Sequence, residues 1–364
     1  MSPLLVFVVL AALAGILWAP NVCAVMAEQG KRTVTDRTGR TVSIPTDPRR
    51  IACFYGPSYD RAFLLGAADR VAARTLKHPP WAHKLNPNLR NIPLIASYND
   101  PDVERMLSMG LDLVFYWAWP QQIERMSSAG IPVLCSFSPT ANPVTLDGFI
   151  NQFKEDIRFY GNMLGGEAIK TAEDYCTYFD EKLKNIISVT SRIPPAARPK
   201  YYSVRGHNVF ATEGRYTTGH WLSEIAGATL VSKGINNYFV DTTMEQIIAW
   251  NPDVIVVGSY SPIDPILTDA RWGSIKAVRE KRVHHIPEGV FFWDHAGTEI
   301  VLFAMYLAKT FHPDKFSDLD MKKEVKEFYS RFYHYALTDD DADRILKHLP
   351  PEGFDKHTSS LDGF

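Results

Sequence analysis

Two stretches decide the fold: Val103-Glu104-Arg105-Met106-Leu107 running on to Asp112-Leu113-Val114-Phe115, and Met244-Glu245-Gln246-Ile247-Ile248 running on to Asp253-Val254-Ile255-Val256. They align without a gap at a constant offset of 141 residues. Each reads as a short helix whose exit turn leads into an apolar run, the pattern of a strand buried on both faces. Asp100-Pro101 predicts the N-cap and first turn of the first helix, and Thr243 with Gln246 three residues on predicts a capping box for the second. A helix–turn–strand unit repeated this far apart implies two similar α/β lobes.

Working outward, strands are predicted at 51–55, 71–74, 113–117 and 133–137, with helices at 59–65, 101–109 and 121–129 between them. The second copy supplies strands at 200–204, 209–212, 254–258 and 283–286. Strand–helix alternation of this kind builds mainly parallel sheets. A hairpin over 33–45, with Gly39 in its turn, precedes the first lobe. Between the lobes, Ile169, Ala172, Cys176, Phe179, Leu183 and Ile186 form one apolar stripe, which predicts a single helix from Glu167 to Thr190 about 36 Å long. A rod without internal Gly or Pro limits hinge motion between the lobes. Two amphipathic helices close the fold, one through Ile300, Phe303, Leu307 and Phe311, the other through Val325, Phe328, Tyr329 and Phe332. The expected division is a signal peptide at 1–27, an N-terminal lobe at 28–150, a linking helical segment at 151–195, a C-terminal lobe with its terminal helices at 196–349, and a disordered tail at 350–364.

The N-terminus speaks to compartment. An apolar run over 4–19 is followed by Pro20, and Val25-Met26-Ala27 offers small or apolar residues before Glu28, so cleavage is expected after Ala27 and the protein in the periplasm. No Lys or Arg precedes the run, which leaves an uncleaved signal anchor as the alternative; Pro20-Asn21-Val22 before Cys23 is a poor lipobox. Cleavage leaves Cys53, Cys135 and Cys176, an odd and widely spaced set that is neither a disulfide framework nor a CxxC metal signature. A single Cys53–Cys135 bridge stays open in an oxidising compartment.

Over 364 residues, 39 Lys+Arg against 41 Asp+Glu give a net charge of −2, and no basic run offers a grip on nucleic acid. Hydrophobic residues at 46% and charged residues at 22% exclude a disordered chain and a multi-span membrane protein. GxSxG, HExxH, GxxxxGK(S/T) and GxGxxG are all absent, so the commonest hydrolase, zincin and nucleotide signatures are missing, and the chain reads as a non-enzyme. What remains is a concentration of aromatics and histidines where strands end, the edge at which open α/β sheets gather ligands. Tyr55, Trp117 and Trp119 are the candidate wall of one lobe, with Arg205, His207, Tyr216 and Trp293 opposite. Aromatic faces suit a ring-bearing or chelated-metal ligand, and a guanidinium pairs with an anionic group. No HxH or HxxxH pair lies on one helix, so no direct protein–metal site is assigned; His78 with His83, and His207 with His220, are the nearest to one.

The chain resembles the periplasmic substrate-binding proteins of iron-complex and cobalamin ABC importers over about residues 33 to 345. The resemblance is carried by Val34-Thr35-Asp36 with Gly39-Arg40 and Ile44-Pro45, Leu65-Gly66-Ala67-Ala68-Asp69-Arg70-Val71, Ala249-Trp250-Asn251-Pro252-Asp253-Val254-Ile255, Trp272-Gly273-Ser274-Ile275-Lys276-Ala277-Val278, and Phe328-Tyr329-Ser330-Arg331-Phe332-Tyr333. It implies two α/β lobes on a rigid helix, a ligand held between them and no intrinsic cofactor. The implied ligand is an iron complex such as a siderophore, with haem, cobalamin, a bare metal ion or a metal oxyanion as alternatives and a bilobal metalloenzyme as the more distant one. It also implies an inner-membrane ABC permease as partner to a monomeric receptor, docked through an acidic residue near the tip of each lobe. Glu124 and Asp264 are the nearest candidates by position.

Overall fold

The computed structural model describes residues 30–95, 99–136 and 143–355. The signal segment to Ala27 and the last residues of the tail, 356–364, lie outside them. The chain opens with the expected antiparallel hairpin, β1 (Lys31–Thr35) against β2 (Thr41–Pro45), turning at Gly39 with φ +83°.

The first lobe is a parallel sheet of β3 (Ile51–Cys53), β4 (Val71–Arg74), β5 (Leu113–Tyr116) and β6 (Val133–Cys135), in the order β4-β3-β5-β6. Helices α1 (Ser58–Leu64), α2 (Pro80–Leu85), α3 (Val103–Ser108) and α4 (Pro120–Ser128) connect these strands. The second lobe repeats this order. Its sheet runs β9-β7-β11-β12, from β7 (Lys200–Val204), β9 (Thr229–Leu230), β11 (Val254–Val257) and β12 (Val283–His285), again all parallel. A short antiparallel pair, β8 (Ala211–Thr212) with β10 (Val240–Asp241), stands beside it. Helices α7 (Thr218–Ile225), α8 (Met244–Trp250), α9 (Asp264–Thr268) and α10 (Lys276–Arg279) complete this lobe.

The 141-residue repeat is structural. Helices α3 and α8, and strands β5 and β11, begin at positions separated by that offset. The aspartates before the two strands make matching ties: Asp112 accepts the backbone N–H groups of Arg49 and Arg50, and Asp253 accepts that of Lys200, in each case at the start of the neighbouring strand. Thr243 caps α8 by accepting the Gln246 N–H, as the sequence predicts. For α3 the cap is Asp102, which accepts the Arg105 N–H, and Asp100 instead pairs with Arg125.

The linking segment is a helical hairpin. α5 (Leu146–Leu164) turns at Gly165-Gly166, both at positive φ, into α6 (Glu167–Thr190), whose limits match the predicted helix. Lys154–Asp180 and Arg158–Glu173 ion pairs set the two antiparallel. α6 also packs on α11 (Ile300–Phe311), which is followed by α12 (Met321–Phe332) and α13 (Asp339–Leu346).

Strand alternation sorts the core into three bodies. Leu113, Phe115, Val254 and Val256 face one continuous apolar cluster that runs through both lobes and the helical hairpin. Val114 and Tyr116 face a second cluster under α3 and α4, and Ile255 and Val257 a third under α8. This corrects the disulfide alternative: Cys53 belongs to the continuous cluster and Cys135 to the second, with β5 between their strands, and the two buried cysteines are not bridged. The described part of the tail, 350–355, is ordered against the fold: Arg344 donates to the Pro350 carbonyl and Arg90 stacks on the Phe354 ring. Among the described residues no helix is long and apolar enough to cross a membrane.

Candidate functional site

Parallel strands send their carboxyl-end loops to one edge of each sheet, and there the two lobes meet. In the first lobe, Tyr55 follows β3 and Trp117 follows β5. The Tyr55 N–H bonds the Phe115 carbonyl, which keeps the two loops side by side. Their rings meet edge-to-face at 4.7 Å, and Trp117 stacks on Trp119 at 5.9 Å and 14°. Both indoles are half-buried and Tyr55 is buried. Pro120 at the start of α4 fixes the turn that presents Trp119. Behind Tyr55 lies Arg61, a fully buried cation 5.5 Å from the Tyr55 ring centre and 5.2 Å from that of Tyr160.

In the second lobe, Arg205 follows β7 and is buried. Its Nη1 donates to Glu213 Oε2 at 3.0 Å and its Nη2 to the Tyr238 hydroxyl at 3.0 Å, while the buried Nε–H finds no partner among the described residues. Burial works against the charge of Arg205, but Tyr238, Glu213 and Asp294 outweigh it and hold the guanidinium above its usual range. Glu213 is further held by the Ser203 hydroxyl at 2.8 Å and the Gly219 N–H at 3.0 Å. A Cβ at position 219 would lie 2.0 Å from Glu213 Oε1, so the carboxylate needs a glycine in the first turn of α7. Asp294 accepts from the Ser259 N–H and hydroxyl and contacts His295 Nδ1 at 2.6 Å. Burial would raise its carboxyl, yet His295 and Arg205 hold it well below the usual range. A cavity of about 10 Å³, room for one water, separates Glu213 from Asp294.

The predicted residues are thus placed unevenly. Tyr55, Trp117 and Trp119 pack together where β3 and β5 end, and Arg205 stands at the corresponding end of β7 in the second lobe. His207 is exposed and stacks on Tyr260 at 6.2 Å. Tyr216, at φ 66°, packs on Trp221 and His220 at the margin of the continuous core. Trp293 differs from the expected wall residue: it is 0% exposed and belongs to that continuous core. His78 is buried between Tyr59 and Phe291; burial first, then the Arg74 guanidinium, holds it well below its usual value, an environment hostile to a cation. Among the described residues no group of three or more His, Cys, Asp or Glu side chains is placed to hold a metal ion. Glu124 and Asp264 are both exposed; Glu124 accepts the Ser128 hydroxyl on α4, and Asp264 lines a groove of about 510 Å³ with Tyr260, His285 and Lys347.

Sequence reasoning missed Tyr238. It lies in the exposed stretch 233–239, its ring 5.1 Å from the Arg205 guanidinium. The signal available was an aromatic pair, Tyr238-Phe239, in an otherwise polar loop.

The family profile described as Periplasmic binding protein matches residues 51–290, which takes in both sheets. The chain belongs to this family. Among curated relatives, the Molybdate-binding protein MolA of Haemophilus influenzae is 27% identical over 332 residues, covering 86% of this chain and 94% of its own. An uncharacterized ABC transporter substrate-binding lipoprotein of Bacillus subtilis is 23% identical, over 79% of this chain and 87% of its own. Among solved structures, molybdate-bound MolA superposes with a TM-score of 0.77 at 24% identity, covering 84% of this chain and 99% of that one. A nickel-bound Helicobacter pylori CeuE gives 0.67 at 20% identity, covering 86% and 99%. The likeness to these structures confirms the two-lobe α/β fold joined by a long helix.

Proposed function

We propose that this chain is the periplasmic receptor of an ABC importer and that its ligand is a compact metal oxyanion of the molybdate class. One observation carries the reading: a buried guanidinium, Arg205, stands at the inter-lobe edge with an N–H still to give. Such a donor in a low-dielectric site is suited to an oxyanion. The relative named for molybdate supports it. The reading departs from the iron complex expected from sequence. That expectation keeps one supporting observation, the half-buried Trp117–Trp119 stack, which would suit the organic part of a chelate.

Calorimetric titration of the purified protein with molybdate, tungstate, ferric siderophores, haem and cobalamin separates the two. Saturable binding of molybdate or tungstate is expected; saturation only by an organic chelate would replace the oxyanion with the second reading. Export is tested by the mass of the periplasmic form, expected to begin at Glu28.

Docking on the permease is assigned to Glu124 and Asp264, each exposed on its own lobe. Glu124→Lys with Asp264→Lys should abolish uptake in cells while changing stability by less than about 0.5 kcal/mol each and leaving ligand affinity intact. Undiminished uptake would remove both residues from the interface.

A further inference from the structure

Glu213 and Asp294 are both buried, and each keeps an acceptor open. On Glu213, Oε2 receives Arg205 Nη1 and the Gly219 N–H, while Oε1 receives only the Ser203 hydroxyl among the described residues. On Asp294, Oδ1 receives the Ser259 hydroxyl and meets His295 Nδ1, while Oδ2 receives only the Ser259 N–H among the described residues. A carboxylate oxygen has two lone pairs, so Oε1 and Oδ2 each have one left.

The cavity of about 10 Å³ is lined by both carboxylates and by the hydroxyl-bearing Tyr201, Ser203 and Thr218. Glycines keep the space clear at the same two oxygens. A Cβ at Gly219 would lie 2.0 Å from Glu213 Oε1, and one at Gly258 would lie 2.7 Å from Asp294 Oδ2. Gly258 is not at positive φ, so space and not backbone conformation explains the glycine there. A water matches this setting, with two hydrogens for two lone pairs in a volume that holds one molecule. Two other occupants fit less well. A proton shared by the carboxyls needs them in contact, whereas the cavity stands between them, and His295 and Arg205 keep Asp294 ionised despite its burial. A metal ion lacks a ligand set, since no group of three or more His, Cys, Asp or Glu among the described residues is placed to hold one.

We propose that this cavity is a water-binding site, and that one buried water donating to Glu213 Oε1 and Asp294 Oδ2 is a fixed part of the frame around Arg205. Glu213 precedes α7 and Asp294 precedes α11, so the water ties together two elements of the second lobe that are far apart in sequence. It satisfies both carboxylates without neutralising either, and it holds the Glu213 carboxylate whose other oxygen grips Arg205. The site does not depend on which ligand the receptor takes.

The test is a crystal structure of the wild-type protein, at a resolution that shows ordered water, from crystals grown in a rubidium salt. A single peak without anomalous signal is expected at roughly 2.5–3.0 Å from both Glu213 Oε1 and Asp294 Oδ2. An empty cavity, direct contact between the two carboxyls, or an anomalous rubidium peak overturns the proposal. Solution measurements extend the test to Val256→Ile, which enlarges a side chain lining the cavity. Where the crystal structure of this variant shows the cavity filled, its oxygen-17 water relaxation dispersion should fall below that of wild type by one long-lived water. An unchanged dispersion would show that the water is not held in solution, and overturns its place in the frame.

Discussion

Asp60 of α1 and Glu299, the residue before α11, come from opposite lobes and are buried at adjacent peptide units: Asp60 Oδ2 accepts the Thr298 N–H at 2.6 Å, and Glu299 follows directly. Glu299 accepts the Tyr329 hydroxyl at 2.6 Å and the Phe291 N–H at 3.0 Å. Burial pushes Asp60 up to about 6 despite the Arg61 guanidinium, and Glu299 up to about 7 despite those hydrogen bonds, with Asp60 adding to the rise.

A pH dependence follows with a definite sign. Each carboxyl holds its proton to a higher pH in the folded state than in the unfolded chain. The stabilisation is complete below about pH 4 and is lost as pH rises through 6 for Asp60 and 7 for Glu299. Glu299→Gln should therefore gain on wild type by about 3 kcal/mol between pH 5 and 8. Buried histidines held low, His78 foremost, act oppositely below pH 6.5 but cancel in the difference. Urea midpoints of both proteins across this range give the measurement; a flat difference would contradict the burial cost assigned to Glu299.

The Arg205–Glu213 pair should be costly to break from one side. Arg205→Ala leaves Glu213 buried with its charge unmatched and should cost about 3–5 kcal/mol. Arg205→Met combined with Glu213→Gln should cost less than the single change. Chemical denaturation of the two variants decides it, and the reverse ordering would mean the pair is not desolvated.

Trp293 and Trp117 should separate core from wall. Trp293→Ala removes a fully buried ring and should destabilise by about 3–5 kcal/mol. Trp117→Ala should act mainly on ligand affinity. Paired melting and binding measurements check this, with a stable but non-binding Trp293→Ala as the contrary result.

Ligand should change the lobe angle only modestly. α6 is unbroken from Glu167 to Thr190, and the apolar cluster passes through both lobes without interruption. Small-angle scattering curves with and without ligand should nearly superimpose; a large drop in radius of gyration would refute this.

The sheets were readable because buried parallel strands announce themselves as apolar runs, and at Val71–Arg74 and Lys200–Val204 the expected limits match the observed ones. Helix α6 was readable from its stripe. Its partner α5 was less so: its start at Leu146 falls before the expected linking segment, although Thr145 caps it and Phe149, Phe153 and Ile157 mark its face. At the site, position along a strand end places a residue near the cleft but does not say which way it turns. Tyr55 and Trp117 face each other, whereas Trp293, chosen by the same rule, turns into the core. Tyr238 belongs to no periodic pattern, and its meaning comes wholly from Arg205, thirty-three residues away in sequence.

The end of the chain is assigned by sequence to the second lobe, yet it reaches back to the first. The Leu349 carbonyl takes the Trp81 indole N–H at 3.0 Å and Asp341 pairs with Lys84 at 2.6 Å, while Ile345 stays bonded to Glu288. The lobes are therefore fastened at the helical hairpin, at the Asp60–Thr298 hydrogen bond and at this strap. Each further fastening removes a direction in which two bodies can turn against one another. Motion that accompanies capture and release must leave all of these ties in place or break one of them, so the two lobes are expected to keep nearly one alignment.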